Sequence, residues 1–386
     1  MSDVDAFIRF VRRLYGQPEG VVPLHAPVLG MPEKARVAEA IDSTYVSSVG
    51  AFVNRFEEAV AAFVGARHAV ATVNGTAALH VALRVAGVQP GDLVVTQALT
   101  FVATANAIAY CGAEPVFVDV EEETLGMDPQ ALQAWLQHNA AVRQGVCLER
   151  ASGRPVRACV PMHTLGHPAR IEAIAEVCDE WGLVLVEDAA EALGSVYRGR
   201  HVGTFGRLGV FSFNGNKVIT TGGGGMIVTD EEALARRARH LTTTAKQPHP
   251  WAFEHDDIGF NYRLPNLNAA LGVAQMQRLA ALLDSKRAVA EAYAQAAQLH
   301  GWCFVREPAD ARSNYWLNAL RLPDAATRDA FLQATNAAGV TTRPLWTPMH
   351  RLPMYAGCRR DALEVTDRLA DSVVNVPSSP RLGSGE

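Results

Sequence analysis

The sequence predicts an α/β fold: a mostly parallel central sheet with helices on both faces, plus a smaller C-terminal α/β domain. Three observations carry this prediction. Between residues 54 and 241, short apolar runs rich in Val, Leu and Phe alternate with helix-length amphipathic stretches, as expected of strands joined by crossover helices. Several runs end on a polar or glycine-rich turn, at the edge of the sheet where open α/β folds bind ligands. At 386 residues, 49% apolar and 19% charged, the chain can fill two large cores.

In chain order, residues 3–15 place Phe7, Ile8, Phe10, Val11 and Leu14 on one helical face, with acids first and arginines last, the order the helix dipole favours. This segment reads as an arm, residues 1–22, docking on the main domain. An extended proline-rich stretch, VVPLHAPVLG, leads to helices over 32–42 and 54–64, separated by the polar loop STYVSSVG. A strand over 69–73, a turn at Asn74-Gly75 and a helix over 76–86 follow. Unpaired amides at that helix start attract a phosphate, with Gly75 permitting close approach and Thr76 adding a hydroxyl; plain N-capping explains the same residues equally well. Next come a strand over 93–96 and a loop-to-helix corner at Phe101, an aromatic that could stack on a flat ring or fill the core. Alternation continues with strands over 115–118, 158–162, 183–186, 209–213 and 226–229, and helices over 129–138, 168–181 and 230–241. A domain boundary is expected at Pro265, dividing a large domain (23–264) from a small one (265–386). A long helix to His300, with a break expected near Asp284, opens the second. A strand over 316–322 and helices over 325–338 and 361–370 complete it.

The most informative stretch is 183–229. Asp188 closes one apolar run and Lys217 lies just past the next, so a carboxylate and an amine can face each other across neighbouring strand ends. Solvated lysines and capping aspartates are common. Here, however, Lys217 precedes four glycines, Gly222 to Gly225, and follows Ser212 by five residues. A lysine for a Schiff base and an acid for a pyridinium nitrogen are what pyridoxal 5'-phosphate requires. Two other glycine motifs are missing: the order Gly215-Asn216-Lys217-Val218 is not a phosphate-binding Gly-Lys-Ser/Thr loop, and no Gly-x-Gly-x-x-Gly opens a helix after a first strand. A nicotinamide enzyme is therefore not indicated.

The net charge of −5 argues against nucleic acid and anionic membrane surfaces as partners. Six scattered cysteines and twelve histidines show no metal-type spacing, so no metal is expected and the thiols should be buried and reduced. No apolar run of membrane-spanning length and no signal-peptide pattern is found, which makes a cytoplasmic location the expectation.

The segments VNGTAALHVAL, ALTFVATANAI, VEDAAEALGS, FSFNGNKVITTGGGGMI and GFNYRLPNLNAALGVAQ occur in the order and approximate spacing of the DegT-type sugar aminotransferases, a family of fold-type I pyridoxal-phosphate enzymes, and the chain resembles it over about residues 23–380. The segments IDSTYVSSVG, NYWLNAL and RPLWTPMHRLPMY look most like the C4 aminotransferases of legionaminic and related nonulosonic acid pathways, whose products enter surface polysaccharides; perosamine synthases come next. The resemblance implies that Lys217 carries the cofactor, Asp188 pairs with the ring nitrogen, Phe101 stacks on the ring, and Gly75, Thr76 and Ser212 bind the phosphate. It also implies a homodimer in which Asn261 of the partner subunit reaches that phosphate.

Three residues after Asp188, where many relatives have Gln or His, stands Glu191, which would meet the ring hydroxyl as a neutral acid or serve otherwise. His163 lies near the rim with core packing as its alternative, and Arg263 or Lys246 would meet a diphosphate. The implied reaction is ping-pong. An amino acid, by resemblance glutamate, leaves its nitrogen as pyridoxamine 5'-phosphate, which then aminates C4 of a nucleotide-linked 4-keto-6-deoxy sugar. The first choice of acceptor is UDP-4-keto-6-deoxy-GlcNAc and the second is GDP-4-keto-6-deoxymannose. A 3-dehydratase on this scaffold would have histidine at Lys217, and a cofactor-bound regulator without turnover would show damage to the Lys, Asp or Ser. Neither departure is seen.

Overall fold

The computed structural model describes residues 3–382. Seven strands form the central sheet: β1 (His68–Thr72), β2 (Leu93–Gln97), β3 (Glu114–Val118), β4 (Val156–Val160), β5 (Val184–Asp188), β6 (Leu208–Ser212) and β7 (Gly225–Thr229). Their order across the sheet is β1-β7-β6-β5-β4-β2-β3. All neighbours from β6 to β3 run parallel, while β7 runs antiparallel to both β1 and β6. The strand therefore enters the sheet at the rim where β1 and β6 end. β2 and β7 are buried along their whole length, the continuous burial expected of strands covered on both faces.

Eleven α-helices occur among the described residues. They are α1 (Asp3–Leu14), α2 (Met31–Asp42), α3 (Ala51–Val64), α4 (Gly75–Val85), α5 (Val102–Tyr110), α6 (Pro129–Asn139), α7 (Ile171–Trp181), α8 (Glu232–Thr242), α9 (Asn266–His300), α10 (Ala325–Ala337) and α11 (Glu364–Ser372). One core cluster joins α3, α6, α7 and α9 to one face of the sheet, and a second joins α4, α5 and α8 to the other. A smaller antiparallel sheet of β8 (Cys303–Phe304), β9 (Asn318–Arg321), β10 (Arg343–Pro344) and β11 (Val373–Val376) follows, in the order β8-β9-β11-β10.

Several local expectations change. The apolar face of α1 does not dock on the main domain. Phe7, Val11 and Leu14 instead join Tyr293 of α9, Phe331 of α10 and Leu320, Val374 and Val376 of the small sheet, a face that would otherwise be open to water. Helix α9 runs unbroken through Asp284, whose side chain is 77% exposed while Leu282 and Leu283 just before it are buried. Beyond β4, Pro161 lacks an amide for the ladder, so Met162 pairs with Asp188 only as an isolated bridge. The hairpin over 140–149 was not foreseen because each of its strands is only four residues long; a second, basic hairpin spans 196–201. Four cysteines are buried, but Cys358 is half-buried and Cys303 exposed, contrary to expectation. Among the described residues no helix is long and apolar enough to cross a membrane.

Candidate active site

The site is built where strands stop. Val210 of β6 lies opposite Asp188 of β5 in parallel register, so Asp188 and Ser212 emerge side by side at the carboxyl rim. After β6 the chain turns tightly, with the Lys217 amide donating to the Asn214 carbonyl (3.0 Å) and the Thr221 amide to the Phe213 carbonyl (3.0 Å). That turn brings the Lys217 side chain back over the rim. On the other flank β1 runs into α4, where the Asn74 side chain accepts from the Ala77 amide (2.8 Å) and the Asn74 carbonyl from Ala78 (3.1 Å). The Asn74 cap leaves the amides of Gly75 and Thr76 for a ligand, as the first amides of a helix have no partner within it.

Two glycines make this geometry possible. A Cβ on Gly75 would sit 2.9 Å from the Ser212 Cβ, and one on Gly225 would sit 2.4 Å from the Asn74 carbonyl oxygen. Without side chains there, β7 can pass beside the start of α4, and α4 can close on β6.

Asp188, Glu191, Lys217, Ser212, Gly75, Thr76 and Phe101 all line one cavity of about 330 Å³. Asp188 is 2% exposed. Its Oδ2 accepts from the Thr104 hydroxyl (2.7 Å) and its Oδ1 from the Ala190 amide (3.1 Å). Burial pushes its carboxyl above the ordinary range, while the two hydrogen bonds and the Lys217 charge pull it back. A buried carboxylate with only neutral donors attached favours the arrival of a cationic N–H. Burial likewise raises Glu191, to about 7, with Lys217 opposing the rise. Lys217 Nζ lies 3.4 Å from Glu191 Oε1 and 3.9 Å from the centroid of Trp316. Phe101 is not a core residue: it is 49% exposed and meets Trp346 edge-on at 6.3 Å.

Four residues singled out from sequence lie elsewhere in the single chain. Asn261 is exposed and bridges Thr243 outside the cavity. Arg263 is 8% exposed and its Nη1 pairs with Glu57 beneath β1. That engagement corrects the expectation that it is free to meet a diphosphate. Lys246 stands over the Phe253 ring, 4.0 Å from its centroid, on a loop outside the cavity. His163 is fully buried behind the rim: its Nδ1 accepts from the Ala169 amide (3.1 Å), so its Nε2–H donates to Glu187 (3.0 Å).

Sequence reasoning missed Thr104, Trp316 and Trp346. Thr104 had a usable signal, since it follows Phe101 by three residues and so returns to the same face of α5. The tryptophans had none, because only folding brings residues 316 and 346 of the small layer over the rim.

An open, mostly parallel sheet with a lysine and a buried carboxylate converging at its carboxyl rim defines the class: the fold is that of the fold-type I pyridoxal-phosphate aminotransferases. The chain belongs to the DegT/DnrJ/EryC1/StrS aminotransferase family, whose model matches residues 28–386. It is 40% identical over 86% of its length, and 83% of the other's, to EpsN of Bacillus subtilis (strain 168), named provisionally as a pyridoxal phosphate-dependent aminotransferase. Identity to the GDP-perosamine synthase of Caulobacter vibrioides is 36%, covering 92% of this chain and 93% of that one. Among solved structures, the aminotransferase TlmJ from Streptoalloteichus hindustanus superposes with a TM-score of 0.85 at 32% identity, over 95% of each chain.

Proposed function

We propose that this protein is a pyridoxal-phosphate-dependent aminotransferase that moves nitrogen from an amino acid, glutamate first among donors, to C4 of a nucleotide-linked 4-keto-6-deoxy sugar. The observation that carries the reading is the shared cavity of Lys217 and Asp188. The residues fit the cofactor: free amides at Gly75 and Thr76 and the Ser212 hydroxyl suit a phosphate, and Phe101 and Trp346 offer aromatic surface. When bound, pyridoxal phosphate supplies an electron sink that lets a C–H bond beside nitrogen break.

The chain's own groups do the rest. Asp188 holds a proton on the ring nitrogen by placing a desolvated negative charge beside it. Lys217 would hold the cofactor at its carbonyl carbon, and its Nζ, when free, would take the proton from the donor's α-carbon. In the second half the same Nζ delivers a proton to C4 of the sugar. The small layer, through Trp316 and Trp346, walls the cavity on one side and limits water there.

Among the described residues lining the cavity Lys217 is the one cation, so a sugar diphosphate needs positive charge from elsewhere. A homodimer answers this need. The exposed Asn261 then reaches the phosphate of the neighbouring cofactor, and Lys246, on an exposed loop with Trp251 and Phe253 at its tip, faces the nucleotide. The segments shared with legionaminic-type enzymes support UDP-4-keto-6-deoxy-GlcNAc as the acceptor, and the likeness to GDP-perosamine synthase supports GDP-4-keto-6-deoxymannose as the alternative. The test is a two-stage assay. Glutamate should bleach the yellow holoenzyme, and the bleached form should then aminate one of the two keto sugars and regain its colour. A holoenzyme that ignores every amino donor would be a cofactor-bound regulator instead.

A further inference from the structure

Glu191 sits on the turn three residues beyond Asp188 and is 3% exposed. Its Oε2 accepts from the Leu165 amide (2.9 Å). Leu165 itself is held at φ 58°, a left-handed conformation that costs a branched residue about 1 kcal/mol or more, and in this conformation its amide meets the carboxylate. The backbone of the turn is fixed from the small layer, where Asn314 Nδ2 donates to the Glu191 carbonyl (2.8 Å). One carboxylate oxygen is thus committed and the other, Oε1, is left facing Lys217 Nζ at 3.4 Å.

The charged groups facing Glu191 are Lys217, from the loop after β6, and Asp188, from its own turn. The turn over 164–166 presents an amide and the small layer presents Asn314 and Trp316, all neutral. His25, on the extended stretch before α2, also feels the Lys217 charge and is kept uncharged mainly by burial, with Lys286 and Lys217 adding to it.

We propose that Glu191 is the proton partner of Lys217: it takes the proton that Nζ must shed before the amine can react, and returns it afterwards. One N–H bond breaks, one O–H bond forms, no electrons leave, and the pair is neutral overall in both states. In water the ionised pair would win by several powers of ten. In this cavity the buried carboxylate loses hydration that the Lys217 charge only partly restores, which narrows the gap from the carboxylate side. The carboxyl, raised to about 7 by burial against the opposing Lys217 charge, marks that narrowing. The inference rests on the reading of Lys217 as the reacting amine.

The test begins on the cofactor-free protein. Infrared difference spectra of wild type minus Glu191→Gln isolate the protonated-carboxyl band of Glu191, followed from pH 4 to pH 9. The expected band titrates near neutrality, and in Lys217→Met its midpoint moves higher because a lowering charge is gone. A midpoint in the ordinary carboxylate range, or one that ignores Lys217→Met, overturns the proposal. In the holoenzyme, the glutamate half-reaction of the wild type should slow as pH falls through the same midpoint. Glu191→Gln should lose that limb and run about 10²-fold slower, with Glu191→Asp restoring part of it. An unchanged limb in Glu191→Gln likewise overturns the proposal. Should the band behave as expected while glutamate leaves the holoenzyme yellow, the proton coupling stands and the amino-transfer reading falls.

Discussion

Lys286 is fully buried and Lys217 largely so, and their surroundings differ in kind. Lys217, at the rim of the central sheet, is 13% exposed, faces a cavity, and has a carboxylate and an aromatic face as neighbours. Lys286, in the middle of α9 at the junction with the small layer, is fully buried and donates to the carbonyls of Trp316 (3.1 Å) and Ser378 (2.7 Å). Burial pushes its amine down to about 7. A desolvated amine alone does not mark a reactive group. Lys286 ties the segments before β9 and after β11 to the long helix and does not line the Lys217 cavity. What separates the two is access to a ligand-sized space and an acid that can exchange a proton.

Substitutions sharpen that contrast. Lys217→Ala should have the largest effect, lowering amino transfer by roughly 10³-fold or more while leaving the melting temperature of the cofactor-free protein nearly unchanged; steady-state rates and calorimetry check both. Asp188→Asn should reduce kcat on the order of 10²-fold. It should also leave the cofactor-free protein as stable or more so, since a carboxylate raised by burial is no longer forced to ionise. Arg263→Ala should act in the opposite way. It leaves Glu57, 5% exposed, with only Arg239 and the Ala71 amide as partners, and should cost about 3 kcal/mol of stability in denaturant titrations with the sugar nucleotide's KM unchanged.

The remaining effect concerns Lys286 and is confined to one range of pH. Its folded value is depressed from 10.5 to about 7, so the stability it contributes is fully present above about 10.5 and is lost as pH falls toward about 7. The slope is about 1.4 kcal/mol per pH unit within that window. Lys286→Met should flatten the rise in melting temperature between pH 7 and pH 9 and leave the glutamate half-reaction intact.

Much of the rim was legible in the sequence because it is local. Strand ends, Asn74-Gly75, and the spacing from Ser212 to Lys217 lie on short continuous segments, so apolar runs and turn residues fix which groups emerge there. The small-layer wall was not legible. Trp316 and Trp346 reach the cavity only through the packing of a second sheet, and nothing in their own segments says which way that sheet faces. The same holds for α1: its amphipathic pattern announces a buried face but not which core receives it. Arg263 was misjudged for a related reason, since its partner Glu57 is 206 residues away on α3, and an arginine's ion pair at that separation has no sequence signature. Asn261, exposed in the single chain, takes its proposed role only with a second copy.

The assignment of Lys217 is tested most directly by reducing the yellow holoenzyme with borohydride and locating the covalently fixed cofactor by peptide mass mapping. The account predicts one label per chain, on Lys217, and none in Lys217→Ala. A label on Lys286 or any other lysine, or colour released intact after reduction, would contradict it.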